Sequence, residues 1–195
     1  MTESPSRPVR VIGIAGSLRA GSFNRALLRA AIELAPEGMV VSTFDQLGDL
    51  PHYNADLDGD PEKAPASVHA LREAIRAADA LLIVTPEYNY GIPGVLKNAI
   101  DWASRPPATS ALKGMPAGIM GASIGVVGTA RAQLALRQAF VFTQTYPLAA
   151  PEILVSSAAQ KFDADLRLTD EPTRKFVHEH LVRLKDWALK LGLRG

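Results

Sequence analysis

Apolar positions along the chain fall into short continuous runs alternating with longer stretches of helical spacing. The run VRVIGIA, from Val9 to Ala15, stops at a glycine-containing segment, and FNRALLRAAIELA follows with apolar side chains at three- and four-residue steps: Phe23, Ala26, Leu27, Ala30, Ala31 and Leu34. This predicts a strand, a loop and a helix with one buried face. Pro36 and Gly38 close that helix. MVVSTF (39–44) reads as a second strand and EKAPASVHALREAIRAA (62–78) as a second helix after a long polar loop. Residues 80–84 are continuously apolar, as in a strand covered on both faces of a parallel sheet. A third helix is predicted over GVLKNAIDWAS, with Pro93 in its first turn and Pro106 and Pro107 behind it. A fourth strand lies within 115–123, a fourth helix within 129–144 and a fifth strand within 152–155. The closing helix puts Val177, Leu181, Leu184, Ala188 and Leu191 on one face, with Pro172 near its start.

Five strands alternating with helices predict an α/β fold, a doubly wound five-stranded parallel sheet with helices on both faces. One domain is expected over residues 8–195, behind a loose tail at 1–7. Ligands of such sheets bind at the carboxyl ends of the strands, which directs attention to the loops after strands one, three and four.

Composition narrows the chemistry. The chain has 195 residues, 47% hydrophobic and 21% charged, with a formal net charge of +1. So balanced a charge does not suggest nucleic acid. With no cysteine, thiolate nucleophiles and iron–sulfur clusters are excluded, and redox chemistry would need a bound cofactor. The polar opening MTESPSRPVR lacks the apolar stretch of a secretory signal, and no run reaches the length of a membrane span. A cytoplasmic protein without membrane partners is expected. His52 and His69 have no metal-ligand spacing, so no metal site is predicted.

The first loop, GSLRAGSFNR (16–25), has two glycines at P-loop spacing, but Ser22 and Phe23 stand where a P-loop carries lysine and a hydroxyl residue. A nucleoside triphosphate loses its β–γ contact and its magnesium ligand there. The dinucleotide pattern G-x-G-x-x-G is also absent. What remains is a loop suited to a terminal monophosphate: Ser17, Ser22 and Asn24 as donors, Arg19 and Arg25 as cations at the positive end of a helix. The competing reading is a plain turn with Ser22 as helix N-cap. The third loop, TPEYNYGIPG (85–94), packs aromatic, glycine and proline residues after a buried strand. Asn89 and Gly91 permit positive φ, and Pro86 and Pro93 restrict the loop, as in a ledge for a planar ring. Glu87 reads as a hydrogen-bonding brace in preference to an acid or base.

Together, GSLRAGSFNR and TPEYNYGIPGVLKNAIDWASRP resemble the NADPH-dependent FMN reductase family, flavodoxin-like proteins that include quinone and chromate reductases; the similarity covers about residues 9–155. The resemblance implies FMN as cofactor, its 5′-phosphate held by Ser17, Arg19, Ser22 and Asn24. Pro86, Glu87, Tyr88, Asn89, Tyr90 and Gly91 would line the isoalloxazine, and Ser123 and Gly125, in GASIGVVGTARAQLALRQ, would lie near it. It further implies an oxidoreductase in which NADPH or NADH passes a hydride to flavin N5 and a quinone, free flavin or similar acceptor then takes the electrons, by a ping-pong mechanism. No side chain is then catalytic in its own right. A homodimer or homotetramer is expected, with a neighbouring subunit completing the pocket mouth.

Two other functions are compatible with parts of the sequence. An electron-transfer flavodoxin would bind FMN without NAD(P)H turnover, but such carriers are usually strongly acidic. GASIG also fits the G-x-S-x-G elbow of a serine hydrolase, with Ser123 followed by Asp163 or Asp165 and by His178 or His180. Two further glycines before Thr129 and the two-residue spacing of the histidines argue against it, and both histidines are expected at the surface or an edge.

Overall fold

The computed structural model describes residues 7–58 and 63–193. Six strands, β1 (Val9–Ala15), β2 (Met39–Thr43), β3 (Ala80–Val84), β4 (Pro116–Ala122), β5 (Tyr146–Pro147) and β6 (Ile153–Val155), form one parallel sheet. They occupy five positions in the order β2-β1-β3-β4 and then β5 and β6, both paired with β4. The expected fifth strand is therefore split: β5 pairs with the start of β4 and β6 with its end. Proline has no N–H to donate to a ladder, and Pro147 and Pro151 bracket the break.

Helices α1 (Phe23–Glu33) and α5 (Glu171–Leu191) cover one face, and α2 (Ala66–Arg76), α3 (Gly94–Ala103) and α4 (Ala130–Thr143) the other. Alternation along the strands divides the core. Val9, Val11, Leu82 and Val84 face α1 and α5, while Ile12, Ile14, Leu81 and Ile83 face α2 and α3. The predicted α1 stripe is buried at Ala26, Leu27, Ala30 and Ala31, and that of α5 at Val177, Leu181, Leu184 and Ala188; Leu191, on the final turn, is exposed.

Helix α2 begins at Ala66, later than the sequence suggests, because Pro65 disfavours helical backbone at Ala64 and takes the N-cap position itself; Glu62, the first residue of the predicted helix, lies outside the described residues. Pro93 likewise sits at the N-cap of α3 rather than inside its first turn. Residues 1–6 of the predicted tail also lie outside the description. Arg7 does not behave as tail: its guanidinium grips Asp79 at 2.6 and 2.9 Å at the amino end of β3. The long loop after β2 is fastened to α3 by Tyr53 N–H to Asn98 Oδ1 and Trp102 Nε1–H to the Pro51 carbonyl, both 2.8 Å.

Two glycines let layers approach closely. A Cβ on Gly118 would meet His180 Nε2 at 2.7 Å, and one on Gly121 would collide with Thr129 Oγ1 and meet the Thr85 carbonyl at 2.5 Å. Ala15 pairs with Val84 and Val84 with Met120, so the chain leaves β1, β3 and β4 side by side. The strand order reverses between β1 and β3, where a doubly wound sheet opens its crevice.

Candidate FMN-binding site

The three loops leaving β1, β3 and β4 enclose a cavity of about 350 Å³, within the usual range for small-molecule sites. Of the residues singled out in the sequence, Ser17, Arg19, Ser22, Asn24, Pro86, Glu87, Tyr88 and Ser123 line it, joined by Phe23, Ala122 and Ile124. Asn89, Tyr90, Gly91 and Gly125 belong to the same loops but stand outside its walls.

In the first loop, Gly16 N–H donates to the Val84 carbonyl at 2.9 Å, extending the β1–β3 ladder by one rung. The amides of Ser17, Leu18, Arg19, Ala20 and Gly21 donate to no group among the described residues. Consecutive free amides leading into a helix N-terminus form an anion cradle. Ser22 is the N-cap of α1, its Oγ accepting from the amides of Asn24 at 3.2 Å and Arg25 at 3.4 Å; such a cap contributes about 1 kcal/mol. Arg19 donates to the Gly21 carbonyl at 2.6 Å. Asn24 is buried, and both ends of its carboxamide bond the backbone of Ala122. It ties the loop to β4 through Oδ1 and one Nδ2 hydrogen, and the second Nδ2 hydrogen is left over from that pairing.

The third loop doubles back between Tyr88 and Gly91, whose backbones exchange hydrogen bonds at 3.2 and 3.0 Å. The left-handed residues are Asn89 (φ 50°) and Tyr90 (φ 66°), whereas Gly91 is not left-handed. The sequence alone points to Asn89 and Gly91 for that freedom, and the structure gives it to Tyr90 in place of Gly91. Tyr88 reaches across to Ser17, hydroxyl to hydroxyl at 3.4 Å.

Glu87 has its side chain nearly buried at the start of α4. One oxygen accepts from the amides of Arg131 at 3.0 Å and Ala132 at 3.2 Å, the other from Arg131 Nη1 at 2.8 Å. Burial pushes the Glu87 carboxyl up, but the hydrogen bonds from the Arg131 guanidinium and the two amides outweigh it and hold the group below the usual carboxylate range. Thr129 occupies the N-cap position of α4 without capping; its hydroxyl accepts from Gln133 Nε2 at 3.0 Å. The cap comes from Glu87. Arg131 also lies over the Tyr90 ring, 3.9 Å from its centroid. A cation in the first turn of a helix needs an anion nearby, and that signal in the sequence points from Arg131 to an acid such as Glu87.

Ser123 Oγ accepts from Gly125 N–H at 3.1 Å, and no triad forms around it among the described residues. His178 bonds the Leu34 carbonyl beyond the end of α1, and Asp163 accepts from the amides of Asp165 and Arg167. His180 is not at the surface, as the sequence suggested, but fully buried. It packs on Gly118, five positions before Ser123 and so about 16 Å away along an extended strand. Its apolar neighbours in α5 are core residues, and Gly118 provides the room for an imidazole. Among the described residues, no three His, Asp or Glu side chains gather as metal ligands, and no helix is long and apolar enough to cross a membrane.

The sequence pattern that defines the NADPH-dependent FMN reductases matches residues 9–160. The chain belongs to that family. The NAD(P)H-dependent FMN reductase of Pseudomonas aeruginosa is 50% identical to this family member over 186 residues, spanning 95% of this chain and 98% of that protein. The quinone reductase of Escherichia coli K12 is 45% identical over 158 residues, 81% and 83% of the two chains. Among solved structures, FerB, the flavoenzyme NAD(P)H:(acceptor) oxidoreductase of Paracoccus denitrificans, superposes with a TM-score of 0.85 at 40% identity, covering 95% of this chain and all of that one. This FMN reductase family member shares with them the flavodoxin-like arrangement of sheet and helices.

Proposed function

We propose that the chain is an NAD(P)H-dependent, FMN-binding oxidoreductase that reduces quinones, free flavin or similar small acceptors. The observation that carries this is one cavity lined both by the loop with a row of free amides and by the loop that presents Tyr88. The residues fit FMN. Ser17, Arg19, Ser22 and the amides of 17–21 match a monophosphate, with Asn24 as the wall between it and β4. Pro86, Glu87, Tyr88 and Ser123 line the space for the ring, while Asn89, Tyr90, Gly91 and Gly125, outside its walls, shape the two loops that carry them. When bound, FMN supplies the hydride-accepting and electron-delivering chemistry that no side chain here provides.

The protein's part is to bind, orient and exclude water. Glu87 stays ionised because Arg131 and two amides hold it, so it braces the ledge and moves no proton. Tyr88 and Ile124 flank the cavity from opposite loops. Donor and acceptor use that mouth in turn, which predicts parallel lines in double-reciprocal plots. The relatives named FMN reductase and quinone reductase support the choice of acceptors. An NAD(P)H-dependent reaction fits a cytoplasmic location.

Exposed Ile124 lines the cavity, Val126 follows it in the same loop and is exposed too, and α4 carries exposed Leu134, Val141 and Phe142. These support a homodimer or homotetramer in which a neighbouring copy covers the apolar rim. A monomer by light scattering at micromolar concentration overturns that assignment.

The function itself is tested by purifying the protein, recording its visible spectrum and titrating it with FMN. A yellow protein, or tight binding of added FMN, is expected, followed by NADPH or NADH oxidation that accelerates with a quinone. A chain that binds no FMN overturns the proposal; one that binds FMN but does not turn over is a flavodoxin-type carrier.

A further inference from the structure

Tyr90 stands in a place that the local sequence does not favour. The two-residue turn between Tyr88 and Gly91 needs left-handed backbone at both inner positions, met by Asn89 and Tyr90. Asparagine tolerates that conformation, and glycine is the usual second residue. Here the glycine comes one position too late to relieve it. The tyrosine is not held by burial either, being 71% exposed, and its hydroxyl bonds to no group among the described residues. What it touches is the Arg131 guanidinium, 3.9 Å from the ring centroid. That guanidinium is itself fixed by Glu87, which in turn caps α4. Strain of this kind persists only where the surroundings over-determine it.

We infer that Arg131 is a positioning residue of the cofactor site: by clamping the Tyr90 ring it holds the 88–91 turn in its left-handed form and so shapes the ledge for the flavin ring. The inference rests on the FMN reading for the identity of the ring. Arg131 is not among the residues lining the cavity, and it acts through Tyr90 and Glu87. The phosphate cradle at 17–22 is formed without it. Loss of the clamp should therefore weaken every ligand that uses the ledge, with or without a phosphate.

The test measures amide hydrogen exchange in the FMN-free chain and flavin affinity in parallel. For Arg131→Ala, exchange at the Tyr88 and Gly91 amides should rise by about 10-fold or more while core amides of β3 and β4 stay protected. FMN and riboflavin should weaken by the same factor. Adding Tyr90→Gly to that variant should restore protection of the Gly91 amide, because Asn-Gly adopts the turn unaided; a general loosening of α4 would not be rescued this way. If Arg131→Ala does not fold, Arg131→Lys retains a cation for Glu87 without the planar face on Tyr90, and a smaller increase in the same direction is expected. Unchanged exchange in the folded variant, or no rescue by Tyr90→Gly, overturns the inference. So does a loss confined to FMN, which would move Arg131 to the phosphate. A wild-type chain that binds no flavin while the exchange results hold would instead overturn the FMN reading and leave the clamp standing.

Discussion

Asn24 and Ala122 are joined at two points, Asn24 Nδ2 donating to the Ala122 carbonyl at 2.9 Å and the Ala122 amide donating to Asn24 Oδ1 at 2.8 Å. A side chain from the first turn of α1 thus completes the ladder where β4 ends. Asn24→Ala removes both bonds and leaves two backbone groups unsatisfied in a buried place, a loss of about 2 to 4 kcal/mol. Urea unfolding of the FMN-free protein measures it. FMN and riboflavin affinity should fall together if the carboxamide acts through β4 alone; a loss confined to FMN would give its second Nδ2 hydrogen a phosphate contact.

Arg19 has the opposite expectation. Its side chain is exposed beside the free amides and bonds only its own loop, at Gly21. Arg19→Ala should leave thermal stability nearly unchanged and riboflavin affinity intact, while FMN weakens by roughly 10-fold, the scale of one charge-assisted hydrogen bond. Isothermal titration with both ligands decides it. Equal loss for the two removes Arg19 from the phosphate end.

His180 makes the fold sensitive to mild acid. Burial pushes its imidazole down to about 4, with the nearby Arg137 charge acting in the same direction and the Pro151 carbonyl against it. The unfolded chain takes up this proton near pH 6.5, and the folded chain only near 4. Between those values the unfolded state binds more protons, so stability falls as pH drops from 6.5 toward 4. The contribution is about 3 kcal/mol. His180→Gln should flatten that part of the stability-versus-pH curve from chemical denaturation, and an unchanged slope would show that His180 does not govern it.

Gly121 has no room for a side chain. A methyl group there would meet both Thr129 Oγ1 and the Thr85 carbonyl, and the second is backbone of the loop that borders the cavity. Gly121→Ala should cost about 3 kcal/mol or more and weaken FMN binding. Thr129→Gly removes only the side-chain clash, so the double variant should recover stability in part. Full recovery would show that the Thr85 carbonyl can yield.

The sheet and its helices were legible because each strand and helix face carries its own local pattern. Ala80 to Val84 is apolar throughout, and the α1 and α5 stripes recur at helical spacing. The three loops followed from strand order. What could not be read was the direction of side chains that bond far from home. Asn24 is a good phosphate donor by residue type, yet its partner is 98 positions away. Glu87 reads as a brace by residue type, but the first amide it braces, that of Arg131 in α4, lies 44 residues later. His180 looked like a surface residue because no local rule announces that Gly118 has cleared a space for it in the core. The split of the fifth strand was visible only as two prolines.

That split has a further consequence. Arg137 reaches the Leu148 carbonyl and His180 the Pro151 carbonyl, so each side of the break is anchored to a helix, while Ala149 and Ala150 between them are exposed. Added length there perturbs neither β5 nor β6, and the entropic cost of a longer loop grows slowly. A point suited to accept an inserted peptide or a fused domain thus lies within the path of a sheet strand.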